Sequence, residues 1–223
     1  AMTEDIAIVG MACVLPGATN LDEYWANLVN GVDAVTEIPA DRWRERNYHD
    51  LPPEHEARLR CRRGGFLPSG FLFDPLRYGV MPKSGGHGDP DQFLMLHMVD
   101  QALQDAGIAR DDPSRQRTDV IVARGGYPTT KLAEVSYRAE VIDTVLELID
   151  RRFPELLRGR RREELDRYLR LTISPNDPES ISTGIPNLVA SLTANRLDLY
   201  GLAYAVDAAW QASTNGKLFA FIA

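Results

Sequence analysis

Tyr204-Ala205-Val206-Asp207-Ala208-Ala209-Trp210-Gln211-Ala212-Ser213 governs how the rest of this chain is read. Leu202 to Val206 has the pattern of a buried strand, and it runs directly into small residues. A strand that passes through small residues into a helix start has the geometry of a nucleophile elbow. The turn lifts one side chain off the strand end, and the helix N-terminus offers N–H groups and a favourable dipole to an anion. An ordinary strand-to-helix turn in a core has the same spacing, so spacing alone leaves both readings open.

Upstream, Ile185 to Leu197 has helical spacing, with Pro186 tolerated in the first turn. Asp119-Val120-Ile121-Val122-Ala123 is a second buried strand, stopped by Gly125-Gly126. Ile6-Ala7-Ile8-Val9-Gly10-Met11-Ala12-Cys13 is a third, almost continuous apolar run suited to burial on both faces. Between them, Asn20 caps a helix that stops near Gly31. Asp89 or Asp91 opens another that ends at Gly107. Strands alternating with helices predict an α/β layered sheet. Two segments interrupt the alternation. Residues 33–88 form a loop-rich excursion with short strands around Gly64-Gly65-Phe66-Leu67, and residues 131–170 form an inserted helical segment with breaks near Pro154 and Gly159. Ser174 to Pro178 reads as a loop.

The 223 residues are 44% hydrophobic and 26% charged, which suits a globular chain with a sizeable core. A net charge of −7 argues against a general nucleic-acid binder. No apolar run is long enough to span a bilayer, and no secretory leader pattern opens the chain. Two cysteines, Cys13 and Cys61, make neither a disulfide framework nor a zinc site, so no metal is expected and a cytoplasmic location is. Gly85-Gly86 and Gly125-Gly126 lack the spacing of phosphate loops, which excludes nucleotide binding of that kind.

Several stretches together resemble the N-terminal half of a β-ketoacyl synthase, the ketosynthase domain of polyketide and polyunsaturated-fatty-acid synthases. They are Ile6 to Cys13 with Pro16-Gly17, Tyr24-Trp25, Val35 to Trp43, Arg63 to Leu67, Phe73-Asp74-Pro75, Asp89 to Leu94, Ile185-Pro186-Asn187, Ala194 to Asp198 and Val206 to Ala209. They lie in order along almost the whole chain. The resemblance implies a thiolase-like fold, of which this chain supplies the N-terminal βαβαβ half, and a homodimeric assembly. It also implies an activity. A cysteine thiolate takes an acyl group from the phosphopantetheine arm of an acyl carrier protein, releasing the arm's thiol. Two histidines then assist loss of CO2 from a malonyl thioester. The resulting enolate attacks the acyl-cysteine carbonyl, forming the C–C bond and expelling the thiolate. No cofactor binds the domain directly; the phosphopantetheine belongs to the carrier.

The chain departs from that pattern where the chemistry sits. Trp210 stands in the family's nucleophile place and Gln211 comes next. An indole is not a nucleophile, and it would fill space an acyl chain needs. The four histidines, His49, His55, His87 and His97, lie outside the family's histidine contexts. After Ser213 the resemblance stops, although the apolar stretch at Leu218 to Ile222 is unlike a free tail. The expectation is a ketosynthase segment inactive as it stands. The rivals are a non-catalytic partner subunit of the chain-length-factor type and, ranked below it, a malonyl decarboxylase in which Gln211 replaces the cysteine. Half of such a fold leaves an apolar sheet face uncovered, so association with the domain's second half, with another ketosynthase subunit or with a second copy is expected.

The run from Arg151 to Arg170 holds eight arginines in an acidic chain. Arg160, Arg161 and Arg162 are the candidate docking residues for an acidic carrier protein. A solvated helical face paired with Glu155, Glu163, Glu164 and Asp166 is the competing reading. Asp207 is read as a buried acceptor that holds the turn. Arg196 and Asp198 are read as structural, placed to pair or cap.

Overall fold

The structure is a computed structural model that describes residues 6–39, 54, 61–68, 73–81, 88–124, 130–172, 182, 185, 187–206 and 220–221. The chain divides into two compact units, residues 1–72 with 101–107, and residues 73–100 with 108–223.

In the first unit, α1 spans Leu21–Val29. Asn20 has extended backbone and its side chain accepts from the Glu23 N–H at 2.9 Å, as its N-cap position requires. Glu23 reaches back to accept from the Thr19 N–H and hydroxyl at 2.7 and 2.8 Å, and these bonds hold its carboxyl below the usual value. Asn30 closes the helix, and Gly31 just beyond it takes the left-handed conformation, φ 63°. Strand β1, Val35–Glu37, pairs antiparallel with β2, Arg63–Gly65, so a short hairpin-like pairing does exist at the expected Gly64-Gly65.

The first apolar run departs from expectation. Residues 6–13 form no strand, and Ile6 and Ile8 are 91% and 80% exposed. A strand needs a neighbour for its N–H and C=O groups, and among the described residues no strand pairs with this segment. It is tied instead by the Met11 N–H, which donates to Asp105 at 2.8 Å. At Gly10 any Cβ would collide with the Ala102 carbonyl and with Ala106, so only glycine lets the segment lie that close.

The boundary between units falls within α2, Pro90–Asp105. Asp89 opens it by accepting from the Asp91 N–H at 3.1 Å, and Gly107 lies just past its end with φ 73°. In the second unit β3, Val120–Ala123, pairs parallel with β4, Ala203–Val206, from Val120↔Ala203 to Ala123↔Val206. A third strand, β5, Ala220–Phe221, pairs antiparallel on the other side of β3, giving the order β4-β3-β5. The parallel pair needs a crossover. Among the described residues that crossover contains three helices and then α6, Leu188–Arg196, which packs on both strands. The buried residues of α6 are Val189, Ala190, Thr193 and Ala194, small enough to let the helix backbone approach the sheet. The helix starts later than the sequence pattern suggests. Asn187 is its N-cap, and Pro186 lies outside the described residues.

The insertion comprises α3, Thr130–Ser136, a π-turn at Tyr137–Val141, α4, Ile142–Arg152, and α5, Arg161–Leu171. The breaks fall where expected: α4 ends at Phe153 before Pro154, and Gly159 is left-handed with φ 64°. Ile142, Leu146 and Leu157 form a separate small core, flanked by Ile149, Leu165 and Leu169.

Candidate functional site

Ligands in parallel sheets bind beyond the C-terminal ends of the strands, which here means the exits of β3 and β4. Arg124 comes directly after β3. Its backbone N–H donates to the Val206 carbonyl at 3.1 Å, extending the ladder by one rung at the point where β4 ends. Its side chain is only 8% exposed, and Nη2 lies 3.5 Å from Asp89 and 3.3 Å from Asp91 at the start of α2. One residue thus ties the end of β4 to a helix N-terminus. Asp91 is held above the usual carboxyl range, chiefly by desolvation and next by the Asp89 charge, with Arg124 opposing both. Gln92 is buried on the same turn and donates to the Thr193 hydroxyl of α6 at 3.3 Å. Among the described residues, the Nη1 of Arg124 and the Oε1 of Gln92 are buried without a hydrogen-bond partner.

The opposite end of the strand pair is equally constrained. Asp119 accepts from the Leu202 N–H at 2.7 Å, and Gly201 donates to the Thr118 carbonyl at 3.1 Å. A Cβ on Gly201 would collide with the Asp119 carboxylate and the Thr118 carbonyl, which makes this glycine obligatory. Arg115, 4% exposed, donates to the carbonyls of Ala109 at 2.7 Å, Ile108 at 3.2 Å and Leu197. Charged groups therefore pin both ends of the strand pair.

Trp210 and Gln211, with Asp207 and Ser213, lie outside the described residues. The edge as described holds acids, an arginine, an amide and a hydroxyl, but no cysteine or histidine. Cys13 and Cys61 belong to the other unit. Among the described residues the histidine present is His97. It stands 3.4 Å from the Tyr78 hydroxyl, which donates to Asp100 at 3.0 Å; Arg77 is 2.7 Å from the same carboxylate oxygen. Burial pushes the Tyr78 phenol up to about 12, and it lowers the His97 imidazole below its ordinary value. This is a structural clamp of a short 3-10 turn on α2. Among the described residues, no group of three or more His, Cys, Asp or Glu could hold a metal ion, and no helix is long and apolar enough to cross a membrane.

Arg160, Arg161 and Arg162 open α5. Arg160 and Arg161 are exposed, and Arg162 lies 3.5 Å from Asp150. Arg196 and Asp198 do not pair with each other. Arg196 donates to the Gly79 carbonyl at 2.8 Å, while Asp198 lies 3.6 Å from Arg110 and adopts φ 55°, a conformation Asp tolerates better than most residues. Sequence reasoning missed Arg124, Arg115 and Gln92 as organisers. For Arg124 the signal was a charged residue directly after the apolar Val120–Ala123 run, with acids at the start of the preceding helix.

A family profile described as β-ketoacyl synthase, N-terminal domain, matches residues 3–216. The chain belongs to that family. The β-ketoacyl synthase segment is similar to polyketide synthase PksR of Bacillus subtilis strain 168, at 38% identity over 126 residues, 56% of this chain and 5% of the relative. It is 38% identical over 116 residues to orsellinic acid synthase of Beauveria bassiana strain ARSEF 2860, covering 52% of this chain and 5% of the relative. Among solved structures, the oxazolomycin ketosynthase domain OzmH KS7 of Streptomyces albus JA3453 matches with a TM-score of 0.61 and 26% identity, over 90% of this chain and 28% of that one. The PfaC keto synthase-chain length factor matches with a TM-score of 0.70 and 23% identity, over 91% and 21%. The fold is thiolase-like. The chain spans about a twentieth of the first curated relative and about a quarter of the first solved neighbour.

Proposed function

We propose that this chain is the N-terminal portion of a polyketide-synthase ketosynthase domain, whose complete form joins acyl and malonyl thioesters by decarboxylative Claisen condensation on acyl carrier protein, and that the segment itself does not condense. The observation that carries the reading is the order of residues leaving β4. The strand ends at Val206 beside Arg124, and Asp207-Ala208-Ala209 then leads to Trp210. In the family pattern that place belongs to the acyl-accepting cysteine. An indole has no lone pair free to attack a thioester, so acyl transfer stops at its first step. Incubation with a radiolabelled acyl thioester, then denaturing electrophoresis, is expected to leave the protein unlabelled. Covalent label that survives denaturation overturns the reading.

A second reading, a non-catalytic partner of the chain-length-factor type, is favoured by the edge of β4, which has no further strand beside it among the described residues. That strand is the outer member of its sheet, and Tyr200, Leu202 and Tyr204 beside and along it are 63%, 67% and 45% exposed. An apolar edge with unpaired backbone groups is a template for another strand. The occupant is the domain's second half, another ketosynthase subunit or a second copy. Sedimentation of the chain alone and mixed with an active ketosynthase separates these: a mixed complex supports the partner role, and a monodisperse monomer in both samples removes it. Docking of an acidic carrier protein at Arg160, Arg161 and Arg162 is part of the same proposal. Charge reversal at the three positions is expected to abolish carrier binding, and unchanged binding assigns the arginines to a solvated face. Decarboxylation through Gln211 ranks below both and is removed if malonyl-carrier decarboxylation persists in Gln211→Ala.

A further inference from the structure

The helical insertion carries an open groove of about 550 Å³, remote in sequence from the β4 exit. Its walls are the π-turn at Tyr137–Val141 and the exposed side of α5. Arg138, Arg162, Arg167 and Arg170 face it together with Glu163 and Asp166. Four arginines and two acids line the groove, and Asp150 and Asp143 pair with Arg162 and Arg170 from beside it, so the arginines are concentrated there without a large excess of charge.

The arginines divide into two pairs by what they already bind. Arg138 and Arg170 are locked to one another, each donating to the other's backbone carbonyl, at 2.6 and 2.9 Å. Arg170 also holds Asp166 at 2.8 Å and Asp143 at 2.5 Å, and these carboxylates raise its already high pKa. These two form a fixed wall. Arg162 contacts Asp150 at 3.5 Å, through one Nη. Arg167 is exposed and makes no hydrogen bond or ion pair among the described residues. The second pair therefore presents guanidinium donors to the groove while the first holds its shape. Asp166 is occupied by Arg170, and Glu163 is the remaining carboxylate in the lining beside the pair.

We propose that this groove binds a small-molecule phosphate ester, with Arg162 and Arg167 as its ligating side chains. A guanidinium fork matches phosphate oxygens, and two forks supply donors for the three non-ester oxygens of a phosphate monoester. A monocarboxylate would be satisfied by one fork and would leave the other unused. Leu171, exposed in the same lining, offers an apolar contact to the ester's organic part. The inference does not depend on the chain beyond Val206.

The test uses the full chain with phenyl phosphate as probe and benzoate as the monoanionic control, both by calorimetric titration at constant ionic strength. Phenyl phosphate is expected to bind at one saturable site and benzoate about tenfold or more weakly. The double variant Arg162→Gln/Arg167→Gln is expected to weaken phenyl phosphate at least about tenfold, while Arg151→Gln/Arg152→Gln, outside the groove, leaves it unchanged. Equal binding of the two probes, or equal loss in the two variants, overturns the proposal by showing that diffuse charge is responsible. Should the first variant fold poorly by circular dichroism, amide shift perturbations of the unmodified chain decide. Changes confined to residues 136–142 and 160–172 support the groove, and changes centred elsewhere refute it.

Discussion

The parallel strand pair and the helical insertion are built by opposite strategies, although one is threaded into the crossover of the other. Around β3 and β4, nearly every organising group is buried. Val120, Val122, Val189, Ala190 and Leu197 are at most 1% exposed, and Arg115 and Arg124 satisfy carbonyls and carboxylates inside that core. In the insertion, three buried side chains, Ile142, Leu146 and Leu157, form a small core flanked by Ile149, Leu165 and Leu169, and among the described residues the ion pairs around it are arginine pairs half-buried or open to water. A buried charge in low dielectric is costly to orphan, whereas an exposed pair is screened. The strand pair thus depends on buried charge meeting its partners, and the helical segment depends on a small apolar core of its own.

Arg124→Met tests this contrast most severely. It removes the cation beside Asp89, a carboxylate 1% exposed, and the expected loss is about 3–5 kcal/mol in chemical denaturation. A loss below about 1 kcal/mol would show that the strand exit is not organised by this residue. Next in size, Leu146→Ala should cost about 2–4 kcal/mol, but locally. Hydrogen exchange should accelerate in residues 142–171 while β3 and β4 keep their protection. Equal acceleration in both regions would mean that the insertion and the sheet unfold as one.

A smaller effect comes from His97. Burial keeps its imidazole neutral in the folded chain, below the ordinary value of 6.5, with Arg77 acting in the same direction and Asp100 opposing. The unfolded chain therefore takes up the proton first as the pH falls. The contribution is complete above about 6.5 and is lost on acidification toward the lowered value. His97→Gln should flatten this part of the stability–pH curve, and a curve parallel to that of the unmodified chain would contradict the assignment. The smallest effect belongs to Glu147→Gln. Its pair with Arg151 spans 3.9 Å between side chains 63% and 79% exposed, so less than about 0.5 kcal/mol should be lost.

Local chemistry made much of this architecture legible in advance. Asn20 and Gly31 bracket α1, Asp89 opens α2, Val120 to Ala123 forms a strand, and Pro154 and Gly159 break the insertion, because caps, apolar periodicity and helix breakers act over a few residues. The family membership was equally legible. The chain at 6–13 shows the limit. Its apolar run has strand composition, yet strand formation depends on a partner's backbone, and composition does not encode where the partner lies.

Sequence sufficed for the main helices, the strands at 120–123 and 203–206, and the kinship. Only folding could establish that Arg124 meets Asp89, Asp91 and the end of β4, that Arg115 gathers three carbonyls, and that Arg138 and Arg170 clasp each other across 32 residues. The physical reason is range. Helix caps and breakers operate between neighbours in the chain, whereas a buried guanidinium is committed only when folding carries remote acceptors to it and removes the water that would otherwise satisfy them.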